Sequence, residues 1–207
     1  MSEISALEAL ETCRAMRYLK PDPIPDALVE KVIYGATRAS NPGNSQGWHF
    51  IVVRDAGQRE RIQQAIARGV GSAIGDTLAA QAPSAVEGRT LAGAQHLIEN
   101  LHRAPVVVVV CARACYPPQA PSMQMVWCTV YTAAQNLIVT ARALGLGSVF
   151  TTFNLQADAE LREILDLPDD VVMGNVIPLG WPERAFGPLA RKPVEEVIHH
   201  DRWQPGR

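Results

Sequence analysis

Residues 104–112, APVVVVVCA, limit the fold more than any other stretch of the chain. Five consecutive valines are β-branched, stiff at χ1 and favour a pleated backbone over a helical one. The run falls far short of the roughly 20 apolar residues that a membrane helix needs. No polar residue alternates within it, so it reads as a fully buried strand rather than one with a wet face.

The elements around that strand follow from period and punctuation. Ser5 and Glu8 stand three apart, as in a capping box, and predict a helix over 5–15. RYLKPDPIP then reads as a connector, because its three prolines remove amide donors. A second helix from Pro25 carries Leu28, Val32, Ile33 and Ala36 on one side. WHFIVV at 48–53 has the content of an inner strand, after which Asp55 to Gly57 turns the chain away. Helices are predicted over 58–69 and 86–102, flanking a weakly patterned stretch expected to be mobile. Strand 105–111 leads to RACYPPQAPS and a scaffold helix over 123–144, with Val126, Val130, Ala133 or Ala134, Leu137 and Ala141 inward. A short strand is expected at 149–153, a helix from Asp158 and a last core strand at 171–180. The strands keep no clean βαβ rhythm and no internal repeat stands out, so the class is α+β in three layers.

Bulk composition excludes several functions. Apolar residues make up 47% of 207 and charged ones 19%, a balance that supports one globular domain over 1–207. Nineteen basic and 21 acidic side chains give a net charge of −2, so no nucleic acid is expected as a partner. The first residues are acidic and lack an apolar stretch, unlike a secretory signal, which points to the cytoplasm. Cys13, Cys111, Cys115 and Cys128 form no C-x-x-C pair and are expected reduced. The five histidines make no H-E-x-x-H or other compact ligand set, so no metal is expected. Neither G-x-S-x-G nor a P-loop occurs, and GVGSAIG at 69–75 follows a helix instead of a buried strand, as a dinucleotide loop would not.

What remains is SNPGNSQGWHF at 40–50, which carries more hydrogen-bonding groups than a turn requires. Together with RAMRYLKPDPIPDALVEKVI at 14–33, ARALGLGSVF at the end of the long helix and VIPLGWP…RKPVEEVIH, it resembles the FMN-dependent nitroreductase family over almost the whole chain. The resemblance implies a nitroreductase-like fold, a central mostly antiparallel sheet flanked by helices, in an interlocked homodimer with two FMN molecules at the interface. It implies that residues 191–207, otherwise without reason to order, form a dimer-packing tail.

Residue by residue, the resemblance places Arg14 and Ala15 at the flavin phosphate and Arg17 at N1 and O2 of the ring, where a cation favours the anionic reduced flavin. The family wording RRS reads Cys13, Arg14 and Ala15 here, so Arg191 and Lys192 are expected to complete the phosphate shell. Asn44 would meet the pyrimidine edge, since an amide both donates and accepts. Asn41, Ser45 and Gln46 are candidates for the same pocket, and Gly47 stands where the family has proline before Trp48, itself read as a core or dimer anchor. Thr151 and Thr152 fall near flavin O4 and N5. NADH or NADPH would donate hydride to N5, and a nitroaromatic, quinone, free flavin or activated alkene would then enter the same cleft. The substrate-facing candidates lie around 113–124, with Tyr116 and Met123 foremost, and in the variable stretch 69–90, and no catalytic acid or base is assigned. Dehalogenation or flavin cleavage on the same fold, or flavin binding without turnover, are the alternatives.

Overall fold

A computed structural model gives the fold and describes residues 4–80 and 85–204, with side chains described outside 71–87. The elements are α1 (Ala6–Thr12), β1 (Leu19–Lys20), α2 (Asp26–Ala36), β2 (Trp48–Val53), α3 (Ala56–Ala80), α4 (Ala85–Asn100), β3 (Val106–Arg113), α5 (Met123–Ala143), β4 (Gly147–Ser148), α6 (Asp158–Ile164) and β5 (Val171–Pro182). All strand pairs are antiparallel, in the order β1-β5-β3-β2, with β4 also paired to β5. The result is α+β, a mostly antiparallel sheet with helices on both faces.

The valine run occupies the centre of the sheet and splits by parity. Val106, Val108 and Val110 face α2 and α5, packing with Val32, Val130 and Leu137. Val107, Val109 and Cys111 face the other way, onto Ile62 and Ile66 of α3 and Leu161 of α6. Residues 106 to 112 are all 0% exposed, so both faces of this strand are dry, as its composition requires.

β5 keeps both of its faces filled by changing parity once. Val110 pairs with Asn175 but Cys111 with Met173, so Gly174 is an extra, unpaired residue. Before this bulge Val171 and Met173 face α3 and α6; after it Val176 does, while Ile177 and Leu179 face α5. Glycine is required at the bulge, because a Cβ there would lie 1.9 Å from Val130 Cγ1 on α5. The α2–α5 crossing is equally tight, with a Cβ on Gly35 falling 2.0 Å from Thr140 Oγ1.

Several expected boundaries move, for identifiable reasons. Ser5 does cap α1, its hydroxyl accepting from Glu8 N at 3.0 Å, but the helix stops at Thr12 because the next residues turn to the sheet edge, where Met16 N donates to Ser148 O. The connector contains the two-residue strand β1. Asp55 starts a helix instead of a turn, its carboxylate accepting from Gln58 N at 2.7 Å. The helix expected to stop near Gly69 continues as α3 to Ala80; the weak stretch's side chains from 71, and residues 81–84, lie outside the described residues. The strand expected at 149–153 reduces to a bridge from Thr151 to Val176 followed by a 3-10 turn at Phe153–Gln156.

The tail beyond Arg191 contains a 3-10 turn at Val194–Glu196 and leaves Val194, Val197, Ile198 and Trp203 exposed, the last by 74%. No helix among the described residues is long and apolar enough to cross a membrane.

Candidate functional site

Arg14 to Tyr18 lie between α1 and β1 and are anchored by the buried Met16 and Leu19. They form one wall of a cleft of about 640 Å³, whose other walls carry Arg89, Thr90 and Gly93 from α4 and Arg184 from just after β5. Gly93 brings the α4 backbone close, since a Cβ there would sit 3.0 Å from Arg17 Cδ. Among the described residues, none of Arg14, Arg17, Arg89 and Arg184 is in an ion pair. Burial, and then the charge of Arg14, push the Arg17 guanidinium below its ordinary pKa, with Tyr18 opposing weakly. Arg17, half out of water, is thus held beside the exposed Arg14 with no acidic partner among the described residues.

A second hollow of about 420 Å³ shares Arg14 and Ala15 with the first and adds Cys13, Gln135, Phe150 and Arg191. Arg191 reaches it with Nη1 donating to Ala190 O at 2.9 Å. Lys192 is exposed and lines neither hollow. Burial pushes the Cys13 thiol up, against the Gln135 hydrogen bond and the charges of Arg191 and Arg142. Arg142 is spent locally, donating to Thr12 Oγ1 at 2.8 Å and pairing with Glu8 at 3.4 Å.

The loop before β2 makes a separate group. Asn41 organises it: its Oδ1 accepts from Ser45 Oγ and Gln46 N at 3.0 and 2.6 Å, and its Nδ2 donates to Thr129 Oγ1 of α5 at 3.0 Å. The amides of Asn41 and Ser45's hydroxyl are therefore committed to the loop's own shape. Asn44 and Gln46 are exposed, with φ of 49° and 50°, and their side chains make no hydrogen bond among the described residues. Left-handed backbone at a glutamine is costly, and here it turns a polar side chain outward from an anchored loop.

Tyr116 belongs to this second group. Its ring covers Gly43, where a Cβ would lie 2.1 Å from Cε2, and Gly43 itself has φ 57°. Glycine at 47 also has a steric reason: a Cβ would fall 2.6 Å from Cys115 Sγ and 2.8 Å from Arg113 O, while Arg113 N donates to Gly47 O at 2.9 Å. Met123 opens α5 beside this loop and is 47% exposed.

Thr151 and Thr152 differ. The Thr151 hydroxyl is buried and donates to Val176 O at 2.5 Å, so it is spent on β5, whereas Thr152 is exposed. Asn175 Nδ2 donates to Thr151 O at 2.9 Å and fixes the segment from beneath.

The named residues therefore assemble into two groups. Arg14, Ala15, Arg17 and Arg191 adjoin β1 at one sheet edge, and Asn41, Asn44, Gln46, Tyr116 and Met123 surround the start of β2 at the other. Helix α5 touches both, through Thr129 and through Gln135 and Arg142, and between them it exposes Tyr131, stacked on Trp127 at 5.5 Å. Sequence reasoning did not single out Arg184, and reached Arg89 only as part of the stretch 69–90; neither has a motif of its own, and only the fold carries them to Arg17. No cluster of three or more possible metal ligands occurs among the described residues.

An α+β sheet protein with a cationic cleft at one edge and an amide-rich loop at the other is thus defined by its own geometry. The Nitroreductase family model matches residues 10–181, and the chain belongs to that family. A Methanothermobacter thermautotrophicus protein provisionally named NADH dehydrogenase/NAD(P)H nitroreductase is 27% identical over 206 residues, covering 98% of this chain and 90% of its own. Among solved structures, an iodotyrosine deiodinase bound to FMN and 3-iodo-L-tyrosine superposes with TM-score 0.77 at 17% identity, covering 96% of this chain and all of that one. The NADPH:FMN oxidoreductase of Vibrio harveyi, complexed with NAD+, gives 0.73 at 21%, covering 98% and 79%. At such identities the two structures establish the fold.

Proposed function

We infer that the protein is an FMN-dependent oxidoreductase that takes hydride from NADH or NADPH and passes electrons to a small flat acceptor such as a nitroaromatic, quinone or activated alkene. The single observation that carries the reading is Arg17, half-buried, repelled by the exposed Arg14 beside it and without an acidic partner among the described residues. A folded chain tolerates such a pair when an anionic ligand supplies the missing charge. The donor set suits FMN: guanidinium forks match phosphate oxygens and the electron-rich edge of the pyrimidine.

Arg14 and Arg191, which share the smaller hollow, would hold the phosphate, with Ala15 leaving room beside it and Lys192 adding long-range charge. Arg17 would face the pyrimidine edge, where its charge favours the anionic reduced ring. Asn44 and Gln46 present unspent amides on a loop already fixed by Asn41, so they would bind without reorganising. FMN held by these residues would supply the two-electron store between the nicotinamide donor and the acceptor. Thr152 lies exposed in the segment that the family resemblance places near N5, and the buried Thr151 and Asn175 hold that segment still. Tyr116 and Met123, beside the amide loop, would meet the flat substrate.

Because the two groups sit at different sheet edges, the reading includes a homodimer in which the amide loop of one subunit meets the arginines of the other. The exposed Tyr131, Phe150, Val194, Val197 and Trp203 supply apolar surface for that association, the last three from the tail. The test is the visible spectrum of gently purified protein, followed anaerobically during addition of NADH and NADPH. Bound flavin bleached by at least one donor and recoloured by a nitroarene, quinone or enone is expected; flavin that stays oxidised with both donors defeats the reading.

A further inference from the structure

We propose that Arg89 and Arg184 form a second anion subsite in the cleft, one that holds a phosphate of the nicotinamide dinucleotide donor. The proposal rests on the FMN reading above and concerns the charge left over from it. With Arg14 and Arg191 on the flavin phosphate and Arg17 on the ring, two guanidiniums of the larger cleft have no role. Neither is in an ion pair among the described residues. An FMN phosphate carries at most two negative charges, while the two hollows together present five arginines, so the cleft's charge suits one further anion.

Arg184 is also held in place before any ligand arrives. Its guanidinium lies 3.9 Å above the Tyr18 ring, and the opposite side of Tyr18 stacks on His96 at 4.1 Å with 21° between planes. A guanidinium lying on an aromatic face keeps its edge donors free, and that edge is what a phosphate engages. His96 and Arg89 are both on α4, so the same helix backs the stack and contributes the second cation. Arg89 is exposed, as a group at the mouth of a cleft would be, and the small Ala92 and Gly93 keep the space between the two cations open.

The experiment uses the FMN-loaded protein and compares Arg184→Gln, Arg89→Gln and the double variant with wild type, measuring KM for NADPH and NADH with uncharged nitrobenzene as acceptor. Bound flavin per chain is measured alongside. The expected result is an increase in donor KM of roughly tenfold for each single variant, with flavin content and the nitrobenzene KM unchanged. Arg184→Lys, which keeps the charge but not the guanidinium over the Tyr18 ring, should recover only part of the loss. A larger increase for NADPH than NADH assigns the ribose 2′-phosphate; equal increases assign the pyrophosphate that both carry. Unchanged donor KM in the double variant overturns the proposal, as does loss of flavin with either substitution. A rise confined to 4-nitrobenzoate as acceptor also overturns it, since the subsite would then serve an acceptor carboxylate. If wild type takes up flavin but neither donor reduces it, the oxidoreductase reading fails instead, which separates the two failures.

Discussion

Arg17 is costly to the folded chain in two ways, and both identify what it awaits. Burial withdraws water from its guanidinium and Arg14 repels it, so its proton is held less tightly than in a free arginine. An anion placed between the two reverses both effects, which makes Arg17→Gln informative. Flavin affinity should fall roughly ten- to a hundredfold, the worth of a lost charged hydrogen bond, while thermal stability without flavin holds or rises. Fluorescence titration with FMN and melting of the flavin-free protein check both halves. Cys111 shows the opposite kind of burial. At 0% exposure among Val107, Val109 and Met173, its thiol is pushed from its ordinary 9.0 up to about 12, first by desolvation and against a weak pull from Arg162. The unfolded thiol ionises near 9.0 and the folded one only near 12, so the stabilisation is complete below pH 9 and is lost as pH rises between the two values. Wild type should therefore lose more of its urea midpoint between about pH 8 and about pH 10.5 than Cys111→Ala does. Equal losses would show that the thiol is already charged, or already wet, in the folded state.

At the scale of elements, the glycines of β5 and α2 set the distance at which α5 can lie on the sheet. Alanine at 174 would force its Cβ into Val130 Cγ1, so Gly174→Ala should destabilise by roughly 1–3 kcal/mol in urea unfolding. Adding Val130→Ala removes the obstructing methyls and should return part of that loss, a non-additivity expected only if the two positions collide. Such contacts also mark where the sequence could be read and where it could not. The valines of β3 and the inward face of α5 were legible because composition and period report burial directly. Arg14, Arg17 and Asn44 were singled out only through resemblance, since a lone arginine or amide carries no local signal. Gly69 misled: it reads as a helix breaker, yet α3 passes through it, and its hydrogen is needed because a Cβ would lie 2.5 Å from Gln156 O. Thr151 misled differently, since VFTTF has strand composition but its hydroxyl and the Asn175 amide bend the backbone into a bridge and a 3-10 turn. The meeting of Arg89 and Arg184 in one cleft lay beyond sequence reasoning because it depends on where the fold places α4 and the residues after β5.

The whole molecule poses the question that a single chain leaves geometric: two groups of ligand-type residues stand at opposite sheet edges, linked by α5. If each site combines the arginines of one subunit with the amide loop of its partner, damage to the two groups should complement across the dimer. Homodimers of Arg17→Gln, and homodimers of Asn44→Ala, have both sites altered. A mixed dimer places both defects in one site and leaves the other with an intact Arg17 and an intact Asn44. Co-expression with two different affinity tags and sequential purification isolates that species, and it should hold FMN tightly at about half of the wild-type amount per chain. Were the site contained within one subunit, the mixed dimer would have one site of each defect and bind no better than its parents. The tail enters the same test. A chain truncated after Lys192 keeps Arg191 and Lys192 but loses Val194, Val197, Ile198 and Trp203, so if the tail packs a dimer, light scattering should show the truncated chain dissociating at higher concentration than the full chain. Flavin loss that tracks that dissociation curve ties the cofactor to the interface; a truncated monomer that retains tightly bound flavin would place the whole site in one chain.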